Sequence, residues 1–586
     1  MIYIEHLYIY INKNMLKRTI SVLDVSNAPE IEREYKRQRY NDEYINITDI
    51  YNYIHDDCIV DWLQTKYDND KRNLFKEHMN MKGNSFEFKV IEFIKKNINH
   101  IVYVSDRITP DTVKQTENMI KAGVPIIHSA PVVNDENKTK GIIDLLVRSD
   151  FVNHIIEDII LDECDMTYSD NHVYYVIDIK FARLMLCSDG EHIMNCESFP
   201  YHKAQTYLYT KAVSKMQGVE VPYAFILGNG YKYKTFGIVS ETNSCLEKLG
   251  KISFDERDSF IKRKTRKALQ WLRNVRRYGK QWTTNPPSRL ELYPNMNIDS
   301  GIWNEHKKQI ANEISEITSV YQLGIKHRMK AFANGIKDWK DERMTSELLG
   351  ITGKRGEHID KILNMNRDES DIVVLPKKIN NNMYDWKKTD EHDLFVDFET
   401  FGSIFSDFNS LPSYKSSSMI FMIGVGRIVK GEWKYQEFTC TSTSEEEELR
   451  IITEFNDYIL TQNNPRLFYW SAEYNIWTQA LDRHSKLEWS YKYLWCDILK
   501  LFREEQIVIK GAFSYGLKVI VNALKKHKLI ETELESDCKN GLDAMVLAWN
   551  YYNEKDDKVM KDIIKYNEFD CKALYDILVY LREHHK

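Results

Sequence analysis

Several features are missing from this sequence of 586 residues, and each absence excludes a class of protein. It has no run of about 18 uncharged apolar residues, which is the length that a membrane-spanning helix needs. Its nine cysteines form no C-x-x-C pair, which argues against a zinc knuckle and favours reduced thiols. The N-terminal stretch MIYIEHLYIYINKN has no basic leader and no small-residue cleavage site, so it is not typical of a signal peptide. We therefore expect a soluble intracellular protein with no membrane partner.

An excess of positive charge is missing too. The chain has 81 Lys and Arg against 87 Asp and Glu, a net charge of −6, so its total charge does not indicate a nucleic-acid partner. The footprint of such a partner is local, however. The segment KRKTRKALQWLRNVRRYGK contains no acid, and its Arg266, Arg273 and Arg276 are candidates for phosphate contacts, with Trp271 and Tyr278 as candidates for stacking on bases. A solvated basic helix face is the alternative.

The composition that is present supports packed cores. Hydrophobic residues make up 43% of the chain and aromatic residues 12%. The length predicts roughly three to four domains. The hydrophobic patterns predict an α/β multidomain chain with a helical cap region at 1–80, a mixed sheet with flanking helices at 81–285, a helical-hairpin region at 286–385 and a second α/β domain at 386–586.

Individual elements can be predicted from the same patterns. Strands are expected at 100–105, 126–133, 141–147, 173–182, 222–228 and 233–239, and later in DLFVDFE, MIFMIGVGRI and LFYWSAE. Helices are expected at 199–216, in SEEEELRIITEFNDYIL with Ser444 as its N-cap, and at 565–578.

A first set of polar residues lies in the predicted strands of 81–285. Asp144 interrupts the apolar run GIIDLLV, and Asp178 and Lys180 share one face of VIDIKFA because side chains in a strand alternate. Gln205 and Tyr209 are four residues apart on a predicted helix and share a face. Hydrolysis of a phosphodiester requires a hard divalent cation, which carboxylates bind, and a lysine can stabilise the developing charge.

Together with Glu87 on an upstream helix, these residues follow the order Glu, Asp, Asp-x-Lys, Gln-x-x-x-Tyr. This order resembles the RecB-like branch of the PD-(D/E)xK nucleases, in which Glu92 is the alternative choice for the first acid here. The resemblance implies that Glu87, Asp144 and Asp178 bind Mg²⁺ or Mn²⁺, that Lys180 assists, and that the Gln/Tyr helix completes the site. CRISPR-associated relatives carry an iron–sulfur cluster on four cysteines, and because this chain has no such pattern we expect no cluster.

A second set of acids lies in 386–586. LFVDFETFG places Asp397 and Glu399 on one face of a strand, where two like charges are unfavourable without a cation between them. Tyr566 and Asp570 are four residues apart on a predicted helix. Glu473 ends the apolar strand LFYWSAE, and Asp497 in LWCDILKLF is the alternative.

These residues resemble the tyrosine-containing DEDD exonucleases of the ribonuclease-H-like fold. The resemblance implies that Asp397, Glu399, Glu473 and Asp570 bind two metal ions, that Tyr566 orients the attacking water, and that cleavage proceeds from a 3′ end. The family usually has Asp where this chain has Glu473. The segment FSYGLKVIVNAL and the domain order resemble RecB-family nucleases with a C-terminal ribonuclease-H-like domain, which occur in bacteria and in some large DNA viruses.

Between the two sets, TSVYQLGIKHRMKAFANGI and SELLGITGKRGEHIDKIL look alike. They resemble helix–hairpin–helix units, whose glycine turns present backbone N–H groups to a phosphate. The nucleic-acid-binding candidates there are Gly324, Lys326, Gly353, Lys354 and Arg355. Plain helical hairpins that act as a spacer are the alternative.

The sequence therefore predicts a metal-dependent deoxyribonuclease with two centres, acting in repair, recombination or replication. DNA is the expected partner, RNA is the alternative substrate, and a helicase or another replication or repair protein is a further candidate partner. An RNA-processing nuclease is one alternative. A nucleic-acid-binding scaffold with an inactive centre, foremost the C-terminal one, is the other.

Overall fold

The computed structural model describes residues 43–586 except 69–72, 99, 162–166, 169–170, 403–407, 414–417, 535, 537, 539 and 555–556. The N-terminal stretch MIYIEHLYIYINKN lies outside the described residues. The described chain is a mixed α/β structure with separate sheets in its two halves, as predicted.

The first sheet has seven strands and contains both parallel and antiparallel pairs. From one edge the order is Gly250–Ser253, Tyr223–Leu227, Tyr174–Ile179, Thr139–Arg148, Ile126–Asn134 and Ile101–Tyr103, and Ile45–Asn46 pairs with the start of Thr139–Arg148. Every residue from Tyr174 to Ile179 is buried. A continuous apolar run such as this one suits a central strand that is covered on both faces.

Helices cover both faces of this sheet. In the first half of the chain they are Tyr51–Ile54, Ile59–Lys66, Leu74–Asn97, Pro110–Lys121, Ser149–Ile155, Phe199–Gln217 and Phe260–Tyr278, with short 3₁₀ turns at Ile47–Ile50 and Gly279–Gln281. Leu208 packs in one core with Val176 and Ile226. Phe86 packs in a second core with Leu145 on the other face.

The prediction of a single strand at 233–239 is wrong. Tyr231–Thr235 and Ile238–Thr242 form an antiparallel hairpin. Phe236 and Gly237 connect them with φ values of 49° and 87°, and positive values at both positions define a type I′ turn. The first of these strands also pairs with Leu184–Met185, so that a small three-stranded sheet follows the Asp178 strand.

The elements of the region 286–385 are mostly short helices and 3₁₀ turns, and they divide between two cores. Its elements are Leu290–Leu292, Gly301–Trp303, Asn304–Glu313, Ile317–Ser319, Ile325–Ala333, Ser346–Leu349, Gly353–Arg367, Val374–Leu375 and Met383–Asp385. Leu292 and Ile310 pack in the first core. From Ile317 onward the buried residues pack with the C-terminal helices, and Val374–Leu375 pairs with Val508–Ile509.

The second large sheet has five strands in the order Glu432–Thr439, Met419–Val429, Leu394–Phe401, Arg466–Tyr469 and Leu494–Asp497. The first three strands are antiparallel and the last two join in parallel. Glu432–Thr439 was not predicted, because its residues are mostly polar or exposed at the edge of the sheet.

Helices Glu445–Leu460, Glu473–Arg483, Ile498–Glu504, Leu517–Lys526, Gly541–Glu554 and Asp557–His584 pack around this sheet, with a 3₁₀ turn at Leu487–Tyr491. Ser444 caps the first of them by accepting from the Glu447 amide at 3.3 Å, as predicted. Glu473 is the first residue of its helix, and not the last residue of a strand as predicted, because the strand ends at Tyr469.

Among the described residues, no helix combines the length and the apolar character needed to cross a bilayer. The eight cysteines in the described part of the chain are free thiols, and Cys164 lies outside it.

Candidate active sites

The first candidate centre lies in the middle of the first sheet, on two antiparallel neighbouring strands. The Lys180 Nζ lies 2.8 Å from Asp178 Oδ2 and 3.5 Å from Asp144 Oδ2. The backbone N–H of Ile179 donates to Asp144 Oδ2 at 2.8 Å, which fixes that carboxylate. The strand pairing thus brings Asp144 beside Asp178 and Lys180, which lie more than 30 residues further along the chain.

Burial dominates the electrostatics of this centre. Asp178 is completely buried, and burial raises its pKa to about 8 even though the Lys180 ammonium acts in the opposite direction. Burial alone would lower the pKa of Lys180, but Asp178 and Asp144 outweigh it and hold the pKa above its ordinary value. The pair is therefore a desolvated acid beside a cation that stays charged.

Gln205 and Tyr209 lie against the same centre. Gln205 Nε2 donates to the Tyr209 hydroxyl at 3.3 Å. Burial, and then the charges of Asp178 and Asp144, raise the pKa of Tyr209. Gly141 makes room for the ring, since a Cβ there would lie 2.6 Å from Tyr209 Cε1. The helix Phe199–Gln217 therefore delivers both residues to the two carboxylates.

Charges of this centre also act on Tyr201 and His202, which sequence reasoning missed. Burial, then the Lys180 charge, lowers the pKa of His202 well below its usual value. Burial raises the pKa of Tyr201, and the charges of Lys180 and Asp178 act on it as well. Tyr201 precedes Gln205 by four residues, so helical spacing was the signal that could have found it.

Glu87 lies on the helix Leu74–Asn97, as the sequence predicts. Its carboxylate Oε1 lies 3.8 Å from Nε2 of His128, a residue that sequence reasoning also missed. Glu92, the alternative, pairs with Lys89 at 3.2 Å on the same helix. The described contact of Glu87 is therefore with His128 and not with either aspartate.

The second candidate centre is built by three elements of the second large sheet and its flanking helices. The strand Leu394–Phe401 carries Asp397 and Glu399, the first turn of Glu473–Arg483 carries Glu473, and the long C-terminal helix carries Asp570. The last three of these acids are between 5% and 8% exposed. The fold thus brings four carboxylates that are distant in the sequence into one region of the C-terminal half of the chain.

The four carboxylates act on one another. Burial, followed by the charges of Asp570, Glu399 and Glu473, raises the pKa of Asp397 well above its ordinary value. Burial raises the pKa of Glu399 and of Glu473 to about 8, with Asp570 contributing to both. A group of buried like charges is costly unless a cation neutralises it.

Asn567 joins this centre although sequence reasoning missed it. Its Nδ2 donates to Asp397 Oδ2 at 2.8 Å, and its Oδ1 accepts from the Tyr435 hydroxyl at 2.9 Å. The side chain crosses the neighbouring strand at Gly424, where a Cβ would lie 1.6 Å from Asn567 Oδ1. Asn567 precedes Asp570 by three residues, so helical spacing was again the available signal.

Lys518 brings a positive charge to the second centre and was likewise missed as a site residue. Its Nζ lies 4.0 Å from the centre of the Tyr566 ring. Burial lowers the pKa of Lys518, while the charges of Asp570, Glu399 and Asp397 act in the opposite direction. Tyr566 itself hydrogen-bonds to Asp570.

Asp497, the alternative to Glu473, has a different structural role. It caps the helix Ile498–Glu504 by accepting from the Lys500 amide at 3.0 Å. Glu473 accepts from the Ala472 amide at 3.0 Å and contributes its charge directly to Asp397. The geometry thus favours Glu473 as the fourth acid of the cluster.

Comparison with known families bears on this second half. Residues 394–582 match the family model of the RNase H superfamily. The chain therefore contains an RNase-H-like domain at its C-terminal end, which suggests a nuclease-type activity. A search of curated proteins found no match for the chain.

The donor sets of the first centre and of the RNase-H-like domain suit a hard divalent cation. Oδ1 of Asp178 and Oδ1 of Asp570 are buried without a hydrogen-bond partner. Such atoms are costly unless a ligand completes them, and carboxylate oxygens are what Mg²⁺ and Mn²⁺ prefer. Within the described ranges no group of three or more His, Cys, Asp or Glu side chains is already arranged as a metal-binding group.

The candidate phosphate-binding residues of the middle region lie close together before the RNase-H-like domain. Gly324 precedes the helix Ile325–Ala333, and Gly353 begins the helix Gly353–Arg367. Lys326 and Arg355 both lower the pKa of His327 after burial does. The exposed candidates there are Lys326, Gly353, Lys354 and Arg355.

The basic helix Phe260–Tyr278 presents only part of its predicted surface. Arg266 and Arg273 are both exposed, although Arg273 also donates to the Asn137 carbonyl. Arg276 is half-buried and donates to the Tyr44 carbonyl at 3.3 Å. The prediction that Trp271 could stack on bases is wrong. Its ring is buried, and its Nε1 donates to Asp61 Oδ2 at 2.9 Å, because this face of the helix packs on the N-terminal helices.

Proposed function

We propose that this chain is a divalent-metal-dependent deoxyribonuclease with two centres. The observation that carries the proposal is the buried cluster of Asp397, Glu399, Glu473 and Asp570. The positive charge of Lys518 acts on three of these acids. The match to the RNase H superfamily supports it independently. Carboxylate clusters of this kind are what two-metal phosphodiester hydrolysis requires.

In the RNase-H-like domain, the four acids would hold Mg²⁺ or Mn²⁺. The metal ions, when bound, polarise the phosphoryl group and lower the pKa of a bound water. Asn567 holds the Asp397 carboxylate in place through its 2.8 Å hydrogen bond. Tyr566, hydrogen-bonded to Asp570, would position the attacking water, and by resemblance the attack would remove nucleotides from a 3′ end.

In the RecB-like centre, Asp144 and Asp178 would hold the metal, with Glu87 as the third ligand once it leaves His128. Lys180 stays protonated beside both aspartates, so its ammonium can stabilise negative charge that develops on the phosphate. Gln205 and Tyr209 close the site on the helix side. The partially exposed basic helix and the two glycine turns would hold the DNA backbone.

The test uses the full chain and two conservative variants. Wild type, Asp178→Asn and Asp397→Asn are incubated with end-labelled single-stranded and double-stranded DNA and RNA, with Mg²⁺, with Mn²⁺ and with EDTA. We expect metal-dependent cleavage of DNA by wild type. Each variant should lose one class of product, and the double variant should lose both.

Results other than metal-dependent cleavage of DNA would each indicate a different function. Cleavage of RNA alone would identify an RNA-processing nuclease. Binding without cleavage would identify a scaffold, and products unchanged by Asp397→Asn would identify an inactive RNase-H-like centre. Lys518→Ala serves as a check on that last outcome, since it changes the charge of the cluster without removing an acid.

A further inference from the structure

The hairpin Tyr231–Thr235 and Ile238–Thr242 carries an exposed apolar tip. Phe236 is 101% exposed, Ile238 72% and Val239 51%. Single exposed hydrophobic residues are ordinary, but three large ones in four positions form a contiguous patch. The side chains contribute nothing to a core, so their presence at the tip needs another explanation.

The backbone conformation at the tip is also unusual for the residue that adopts it. Phe236 adopts φ 49°, a left-handed value that a bulky residue rarely takes and that costs about 1–2 kcal/mol. Asn, Asp or Gly would suit this turn position better. A phenylalanine that is unburied and conformationally unfavourable breaks a local rule, and such positions are where function is expected.

The stem below the tip is held firmly. Thr235 Oγ1 donates to the Ser188 carbonyl. Tyr233 packs over Gly190, where a Cβ would lie 3.1 Å from the ring. Leu186 N–H donates to the Lys232 carbonyl at 2.9 Å, which ties the hairpin to the segment after Lys180. The strands below the tip are therefore fixed to the neighbouring segment by hydrogen bonds and packing.

The position and the charge of the hairpin point to nucleic acid. The segments 183–186 and 231–242 contain three cations, Arg183, Lys232 and Lys234, and one acid, Glu241, a net charge of +2. Glu241 pairs with Arg183 at 3.1 Å and with Lys232 at 2.6 Å. Leu186 follows Lys180 by six residues, about 20 Å of extended chain. The tip follows Lys232 by four residues, about 13 Å more. The chain length between them therefore keeps the hairpin tip no more than about 33 Å from Lys180.

We propose that this hairpin is a strand-separating wedge for duplex DNA. Phe236 stacks on the terminal base pair and Ile238 supports it, while Lys232 and Lys234 contact the backbone. One strand is thereby released toward the first centre. Apolar side chains that enter between base steps unstack them in this way, and an aromatic contact with a base contributes about 1–3 kcal/mol. The proposal rests on the nuclease function only for the fate of the released strand.

The test measures opening of the duplex without cleavage. A blunt duplex with 2-aminopurine in its terminal pair is mixed with saturating full-length protein in EDTA. We expect wild type to raise the fluorescence, and Phe236→Ser to lower the opening equilibrium by at least about fivefold. Phe236→Trp should restore opening. Ile159→Ser, which changes a residue that is 77% exposed elsewhere, should behave as wild type.

Two kinds of result would overturn the wedge. One is a duplex that Phe236→Ser opens as far as wild type does, including the case in which neither protein opens it. The other is a wild-type dimer that Phe236→Ser converts to a monomer in analytical ultracentrifugation, which would make the patch an interface between copies of this chain. A protein that opens ends in EDTA but never cuts with Mg²⁺ would contradict the nuclease function and leave the wedge standing.

Discussion

Binding of a divalent metal should stabilise the protein in a way that depends on Asp397. Asp397 is surrounded by the charges of Asp570, Glu399 and Glu473 in a buried place. A cation that neutralises this cluster binds the folded state and not the unfolded one, so it must raise the unfolding temperature. Asp397→Asn keeps the shape of the side chain and removes one ligand charge.

The size of the effect follows from linkage. At a metal concentration of about 100 times the Kd, the stabilisation is about 2.7 kcal/mol. For a domain of the size of the RNase-H-like domain, this corresponds to a shift of about 5–11 °C. If Asp397→Asn weakens binding about 100-fold, the stabilisation falls to about 0.4 kcal/mol and the shift to about 1–2 °C. Without metal the variant should unfold at a higher temperature than wild type, because one buried like charge is gone.

Differential scanning calorimetry with EDTA, Mg²⁺ or Mn²⁺ measures the shift in unfolding temperature of wild type and of Asp397→Asn. A chain of several domains does not unfold in two states, so only the transition that moves with metal is compared. Asp497→Asn is the matched control. Asparagine caps a helix as well as aspartate does, so this variant should keep the full response. An equal metal shift in wild type and Asp397→Asn would refute the reasoning. A response lost in Asp497→Asn but kept in Glu473→Gln would assign the fourth ligand to Asp497.

Three further results are expected. Gly424→Ala should displace Asn567, because the new Cβ would lie 1.6 Å from Asn567 Oδ1. Cleavage by the RNase-H-like domain should fall at least about tenfold in the end-labelled assay, and circular dichroism checks that the variant is folded. Lys203→Met should cost about 3–5 kcal/mol in denaturant unfolding because it leaves the buried Asp258 unpaired, whereas a second change, Asp258→Leu, should recover most of the loss. Burial raises the pKa of Asp61 to about 7, above its value in the unfolded chain. The contribution of Asp61 to stability is therefore complete below about pH 4 and falls as the pH rises toward 7. Asp61→Asn should reduce this dependence of the unfolding temperature on pH, which calorimetry across the same range measures.

The sequence was most informative where a long apolar run carried an isolated acid. Runs such as GIIDLLV and LFVDFETFG form buried strands, and their acids are positioned by alternation alone, which needs no knowledge of the partner strands. The pairing of Asp144 with Asp178 then follows once the strands are neighbours. These parts of the two centres can therefore be predicted from the local pattern of residues.

Residues contributed by crossing elements could not be predicted in the same way. Lys518 reaches the acid cluster because its helix packs on the C-terminal helix, and nothing in its local pattern distinguishes it from a surface lysine. Trp271 looked like part of an exposed basic face, but Asp61, 210 residues away, accepts its N–H in the core. Contacts of such sequence separation depend on tertiary packing, which overrides local pattern.

The two centres are not independent modules joined by a tether. Phe408, which lies between the first two strands of the RNase-H-like domain, packs with its ring centre 5.4 Å from that of Phe86 and 5.0 Å from that of Phe181. These two residues are the sequence neighbours of Glu87, on its helix, and of Lys180, which follows the strand Tyr174–Ile179. The Cys245 N–H donates to the Pro412 carbonyl at 3.0 Å and anchors the same segment. Phe408 and Pro412 therefore contact residues beside the first candidate centre, so the packing around that centre depends on the RNase-H-like domain being folded.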